Sequence, residues 1–152
     1  MTRGSFYWHF RDRKELHDAL PESWEVTSAT SFERLLDGEE RGIEEFTALC
    51  ELWLEERALN PAWDSAMRDW PRSSPQAARV VRRLDNRRIE LIQRIFIDLG
   101  YDEPEAFVRA RVTYFHQVGY YALGLGETKA RRRELLPLYV RVLTGVTPSR
   151  KD

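Results

Sequence analysis

The sequence has little cysteine and no long apolar run. Cys50 is the single cysteine among 152 residues, so neither an internal disulfide nor a cysteine metal cluster can form. Because no uninterrupted apolar run of about 18 residues occurs, no transmembrane helix is expected. The start of the chain also lacks a hydrophobic signal region. One cysteine suits a reducing cytosol, and we expect a cytoplasmic protein in which Cys50 is a small buried residue.

Charge of one sign is not in excess either. The chain has 24 Lys and Arg against 25 Asp and Glu, so a basic signal for nucleic acid can only be local. Common active-site motifs are absent: there is no glycine-rich phosphate loop, no His-Glu-x-x-His and no Gly-x-Ser-x-Gly. The three histidines are too scattered to suggest a metal site. We therefore expect no enzymatic activity, no cofactor and no metal.

The spacing of apolar residues predicts an all-α protein. Apolar residues recur every three to four positions through most of the chain, whereas alternating runs are short and rare. Helices are predicted at about 13–38, 40–59, 61–70, 75–99, 102–123 and 128–144. Their start signals are the capping residues Asp12, Asp102 and Thr128, a serine before Pro75, and Pro61. Pro21 lies inside the first helix and predicts a bend near Leu20.

The segment 3–10, Arg-Gly-Ser-Phe-Tyr-Trp-His-Phe, has the most specific functional meaning. Phe6 and Phe10 are four residues apart and would share one face of a helix. The residues between them fall largely off that face, where they could touch something outside the protein. A second helix begins after Asp12, and its start is rich in basic residues. A short helix, a tight turn and a basic second helix form an arrangement that suits nucleic acid.

This stretch resembles the recognition helix and following helix of the tetracycline-repressor (TetR) family. The resemblance is carried by residues 2–10, by a basic residue at Arg13, and by Glu15 and Leu16. It implies a TetR-like helical bundle with a remnant helix-turn-helix at the N-terminus. The implied function is a ligand-responsive repressor that binds a pseudo-palindromic, double-stranded DNA operator as a homodimer. The residues implied to contact DNA are Arg3, Ser5, Tyr7, Trp8, His9 and Arg13.

The resemblance also implies a domain organisation. Residues 1–20 correspond to the end of a TetR-type DNA-binding domain, residues 21–146 to a ligand-binding and dimerisation domain, and residues 147–152 to a tail. Family members carry two further helices before the recognition helix, so we expect an N-terminally truncated relative. A helix-turn-helix needs its first helix to aim the second into the groove. The alternative function is therefore a ligand-binding or dimerisation module without DNA contact of its own.

Two C-terminal helices are candidates for a dimer interface. The helix at 102–123 carries two neighbouring apolar lines, and the last helix carries another. A helix that is apolar on more than one face is buried on more than one side. We expect both helices to pair with their symmetry mates, with ordinary packing inside one chain as the alternative. The predicted interface residues are Phe107, Tyr114, Val118, Tyr121, Leu135, Leu138, Tyr139 and Val142. The second line on the first of these helices is Val108, Val112, Phe115, Gly119 and Ala122.

A ligand pocket is expected among the central helices. Its predicted lining is mostly apolar with a few polar tips, which suits a flat or aromatic small-molecule effector of unknown identity. The predicted residues are Trp53, Trp63, Met67, Trp70, Phe96, Phe115, His116 and Tyr120. The alternative for each of them is core packing, and for His116 a hydrogen-bonded core position. A second alternative is an internal ion-pair network formed by Arg68, Asp69, Asp85 and Arg88.

Overall fold

The computed structural model describes residues 12–36, 38–56, 61–70 and 74–146. In these ranges the chain forms six α-helices and no β-strand, so the prediction of an all-α protein is confirmed. The helices are α1 Arg13–Leu36, α2 Ile43–Glu55, α3 Pro61–Asp69, α4 Pro75–Asp98, α5 Glu103–Leu123 and α6 Lys129–Thr144.

Side-chain caps fix the starts of four helices. Asp12, Ser74, Asp102 and Thr128 each accept a hydrogen bond from the backbone N–H three residues later, at distances of 2.8, 3.2, 2.9 and 3.2 Å. These bonds satisfy N–H groups that have no partner inside the helix. The helix starts predicted from these capping residues are confirmed.

Two helices differ from their predicted extents. The first helix runs through Pro21, which is buried inside α1, and ends at Leu36 instead of about 38. The bend expected near Leu20 stays a prediction. The predicted span of 40–59 was too long, because α2 covers only Ile43–Glu55. Gly42 precedes it with φ 64°, and Glu56 ends it in the left-handed conformation with φ 56°. Both backbone conformations are incompatible with continuing a right-handed helix.

The larger core cluster joins α1, α2, α4, α5 and α6. Phe96 lies at its centre, and the rings of Phe46 and Tyr101 approach it edge-on, with centroids 5.4 and 6.0 Å away. Ala106 and Ala110 are fully buried and bring α5 close to its neighbours. A second, smaller cluster joins α1, α3 and α4 and comprises Trp24, Met67, Val80, Val81 and Leu84. Between them the two clusters fix the positions of all six helices.

The last helix, α6, lies on the outside of the bundle against α2 and α5. Val140 and Thr144 are its buried residues. Its C-terminal end is anchored by the hydroxyl of Tyr101, which donates to the carbonyl of Thr144. Arg109 adds a hydrogen bond from Nη1 to the carbonyl of Leu143 at 3.1 Å. Because Val140 and Thr144 are its only buried residues, most of the α6 surface remains available to a partner.

Candidate functional site

An apolar face is exposed along α5 and α6. Val108, Val112 and Phe115 are each more than half exposed, and their spacing places them along one side of α5. On α6, Val142 is 74% exposed and Leu138 is also exposed. Arg111 covers part of this face, because its guanidinium lies 5.3 Å from the ring centroid of Phe115. Contiguous exposed apolar patches of this kind mark interaction surfaces.

The exposed line on α5 is not the line predicted for the interface. Phe107 is exposed, but Tyr114 is only 3% exposed and belongs to the core. Val118 and Tyr121 are partly buried, and the Tyr121 hydroxyl donates to the carbonyl of Trp53 at 3.1 Å. The neighbouring line, represented by Val108, faces outward instead. The physical reason is the Tyr114 hydroxyl, which finds its hydrogen-bond partners inside the bundle.

The predicted interface residues of α6 lie where a partner could reach them. Leu138, Tyr139 and Val142 are exposed, and Leu135 is partly buried. Pairing with a second chain through these residues stays a prediction.

A buried polar network connects α3, α4 and α5. Arg68 donates two parallel hydrogen bonds to Asp85, at 3.0 and 2.8 Å, and a third to Asp64 at 2.7 Å. The Tyr114 hydroxyl donates to Asp85 at 2.6 Å, and Arg88 Nη1 donates to Asp64 at 3.1 Å. The ion-pair network predicted as an alternative thus exists. Its fourth member is Asp64, which is buried, rather than the exposed Asp69.

The network keeps its charges inside the protein. Burial raises the pKa of Tyr114 to about 12, so its hydroxyl stays protonated at neutral pH. Burial works against the charge of Arg68, but its hydrogen bond to Asp85 and the neighbouring Tyr114 and Asp64 raise its pKa overall. Two guanidinium groups therefore face two carboxylates, and the cluster is electrically balanced.

Arg88 extends this network to α1. Its guanidinium carbon lies 5.7 Å from the ring centroid of Trp24 and 5.2 Å from that of Phe32, both on α1. These are cation–π distances. Its Nε and Nη2 atoms are buried without a hydrogen-bond partner among the described residues. Arg88 thus links the helix after the predicted recognition helix to the central bundle.

A small, half-open cavity with a volume of about 50 Å³ lies between α2, α5 and α6. Three of the predicted pocket residues, Trp53, His116 and Tyr120, line it together. The other lining residues are Cys50, Leu54, Gln117, Glu127, Arg132, Leu136, Tyr139 and Leu143. Aromatic and aliphatic side chains with a few polar groups are the usual lining of small-molecule sites.

The polar groups inside the cavity are mostly uncharged. Burial raises the pKa of the Cys50 thiol to about 12, and burial lowers the pKa of His116, which favours its neutral form. The ring of His116 lies 5.0 Å from that of Tyr139. Gln117 is only 6% exposed, and its Nε2 is buried without a hydrogen-bond partner among the described residues.

Basic residues at the start of α6 close one end of the cavity. Arg132 donates to the carboxylate of Glu56 and, at 3.2 Å, to the carbonyl of Trp53. Its guanidinium lies 4.6 Å from the ring centroid of Tyr120. Lys129 donates to the carbonyl of Glu55 at 2.8 Å. Cations at the C-terminal end of a helix are favourable, so these contacts tie α6 to the end of α2.

The remaining predicted pocket residues do not reach the cavity. Met67 lies in the smaller core cluster with Trp70 packed beside it, and Phe96 lies in the larger cluster. Trp63 and Phe115 are exposed at the surface. The presence of an aromatic side chain alone does not distinguish residues that line the cavity from residues in the core or at the surface. Other residues gave a better indication of the cavity lining. Gln117 is a polar residue within an apolar stretch of α5, and Leu136 and Leu143 are two turns apart on one side of α6.

The predicted DNA contacts fall outside what the structure describes. Arg3, Ser5, Tyr7, Trp8 and His9 lie outside the described residues. Arg13 is the first residue of α1, and its side chain is likewise outside the described part of the structure. Contact of these six residues with DNA stays a prediction.

Comparisons with known proteins give no match: no family model, no curated protein and no solved structure resembles the chain at a significant level. Among the described helices, none combines the length and apolar character needed to cross a membrane. In the same part of the chain no three His, Cys, Asp or Glu side chains are grouped so that they could hold a metal ion.

Proposed function

We propose that this chain is a cytoplasmic, TetR-like regulator of transcription that works as a homodimer and responds to a small molecule. The observation that carries the proposal is the exposed apolar face on α5 and α6. It lies on two long helices at the end of an all-helical bundle, with a cavity on the inner side of α6. A two-fold axis would pack this face against its own copy in a second chain.

A dimer gives the N-terminal segment its function. Two recognition helices about one DNA turn apart read the two halves of a pseudo-palindrome. Ser5 and Trp8 then approach the major groove, Tyr7 and His9 contact phosphates, and Arg13 anchors the backbone. An effector in the cavity favours a conformation that binds the operator less tightly, which makes the protein a repressor released by its ligand.

Fluorescence anisotropy tests the proposal with labelled duplex DNA from upstream of the protein's own gene. A scrambled duplex of the same length serves as the reference, and both are measured at low and moderate salt. We expect tighter binding to the upstream duplex by a version extended upstream to include the two helices that TetR-family members carry before the recognition helix. In that version Arg13→Ala should weaken binding to both duplexes and lower the slope of log affinity against log salt by about one.

Arg34→Ala is the matched control, because Arg34 is exposed at the opposite end of the same helix. It should leave the slope unchanged. Equal slopes for the two variants would reject the role of Arg13, and equal affinity for both duplexes would reject a specific operator in that region.

The second candidate function is a ligand-binding or dimerisation module that has no DNA contact of its own. The net charge of −1 favours it, because the chain as a whole has no attraction to phosphates. Such a module could pair with a DNA-binding partner and hold it inactive. A dimer that binds neither duplex would move this candidate to first place.

A further inference from the structure

We infer that the cavity between α2, α5 and α6 selects a small, non-anionic molecule that has an apolar ring and a hydrogen-bond acceptor, and that Gln117 donates to this acceptor. The inference rests on the proposed function only in treating this ligand as the effector. The binding site itself is argued from the cavity.

The side-chain amide of Gln117 is an unpaired donor beside the cavity. The side chain lines the cavity and is only 6% exposed, and its Nε2 is buried with no hydrogen-bond partner among the described residues. A buried donor without an acceptor is costly, and native structures keep few of them. A rotation of this side chain towards the cavity would let a ligand oxygen satisfy the donor, and the hydrogen bond would orient the ligand against α5.

The walls of the cavity are mainly apolar. Trp53, Leu54, Leu136, Tyr139 and Leu143 present aromatic and aliphatic surface to the cavity. Apolar surface that is removed from water by a ligand contributes favourably in proportion to its area. The body of the ligand is therefore apolar, with its single polar atom directed towards Gln117.

Anionic ligands are disfavoured in this cavity. Burial raises the pKa of the Cys50 thiol and lowers the pKa of His116, so the charged form of each is disfavoured and His116 offers little positive charge to an anion. Arg132 lines the cavity, but its guanidinium already donates to Glu56 and to the carbonyl of Trp53. Glu127 is the other charged residue of the lining, and it would repel an anion. A carboxylate in the cavity would lose its hydration and gain only the neutral donor of Gln117, which does not offset the cost of burying an unpaired charge.

The cavity is small as well as half open. Its volume is about 50 Å³, far less than the roughly 300 Å³ at the lower end of drug-sized pockets. A single small ring is therefore the largest body that fits without a large rearrangement. The α6 wall has few buried residues, so it is the wall that would yield to a larger ligand.

Three probes that share one ring test the inference: cyclohexanone, methylcyclohexane and cyclohexanecarboxylate. Titration calorimetry of the full chain should show the ketone binding most tightly and the carboxylate not binding. Gln117→Leu should weaken ketone binding about 2- to 12-fold, as expected for one lost hydrogen bond. The affinity for methylcyclohexane should not fall. Gln93→Leu, the same change outside the cavity on α4, should leave both affinities unchanged.

The ketone should also shift the side-chain amide resonances of Gln117 in the wild-type protein, and methylcyclohexane should leave them unshifted. This measurement needs no variant, so it decides the question if Gln117→Leu does not fold. Binding of the carboxylate at the affinity of the ketone would overturn the inference. So would the absence of binding by all three probes, or an unchanged ketone affinity in folded Gln117→Leu.

The DNA measurement described above is independent of this one. Ketone binding without DNA binding keeps the ligand inference and rejects the regulator. Specific DNA binding without ketone binding rejects the ligand inference alone.

Discussion

At the scale of single residues, Tyr114 decides how α5 is oriented. Its hydroxyl donates to Asp85 and accepts from Arg68 at 2.7 Å and from Arg88 at 3.2 Å. One oxygen thus joins both arginines and one carboxylate of the buried network. Because the network is only partly accessible to water, each lost contact leaves a polar or charged group with fewer partners.

Tyr114→Phe removes only this oxygen and should lower the free energy of unfolding by about 1–3 kcal/mol. Urea denaturation followed by circular dichroism measures the change. Tyr139→Phe is the control, because Tyr139 is exposed and lies outside the network. Equal losses in the two variants would show that the network does not depend on the Tyr114 hydroxyl.

His116 predicts a dependence of stability on pH. Burial lowers its pKa in the folded protein, so the unfolded chain binds a proton more readily than the folded one. His116 contributes fully to the stability of the folded state above a pH of about 6.5, which is its pKa in the unfolded chain. This contribution decreases as the pH falls through that value. The unfolding free energy of the wild type should therefore drop more between pH 7.5 and pH 5.5 than that of His116→Gln. Parallel curves for the two proteins would contradict this cause.

At the scale of elements, the C-terminal end of α6 depends on one glycine. Gly145 has φ 71°, and a Cβ added there would lie 3.0 Å from the hydroxyl oxygen of Tyr101. That hydroxyl donates to the carbonyl of Thr144. A side chain at position 145 would therefore disturb both the backbone and the anchor of the helix.

Gly145→Ala should destabilise the protein more than Gly124→Ala. Both glycines end a helix with positive φ, at 71° and 57°, but among the described residues no atom beyond the chain neighbours lies within 4 Å of a Cβ at position 124. The left-handed conformation costs each alanine about 1–2 kcal/mol. The free energy of unfolding of Gly145→Ala should fall by about 1 kcal/mol more, because this variant also loses the hydrogen bond of Tyr101. Thermal and urea unfolding of both variants provide the measurement, and equal losses would argue against the anchor.

The helix starts could be predicted from the sequence because their signals are local. A cap such as Asp102 needs only the N–H three residues later, and both groups lie in the same short segment. The ends of α2 could not be predicted in this way. Glu56 takes a left-handed conformation that its residue type does not favour, and contacts from α6, such as that of Arg132, accompany it.

The inward face of α5 could not be predicted for a related reason. Its two apolar lines have similar hydrophobic character, so periodicity alone does not choose between them. The choice follows from the pairing of Tyr114 with Asp85, which are 29 residues apart in the chain. The cavity was only partly predictable, because its lining combines α2, α5 and α6. Trp53 and His116 were found by residue type, whereas Gln117 and Arg132 depend on how these helices pack.

At the scale of the whole molecule, α6 connects the cavity with the apolar face. Leu136 and Leu143 line the cavity, while Leu138 and Val142 are exposed. A ligand on one side and a second chain on the other would act on the same helix. If binding of either one shifts α6, each partner alters the affinity for the other by the same factor.

The pairing of two chains through α5 and α6 is the central claim, and light scattering after size exclusion tests it most directly. At micromolar concentration the wild type should have twice the mass of one chain, and Val142→Glu should have the mass of one. Val26→Glu is the matched control: Val26 is 68% exposed on α1, close to the 74% of Val142, and should leave the mass doubled. A wild type with the mass of one chain, or a Val142→Glu variant that keeps the doubled mass, would contradict the account.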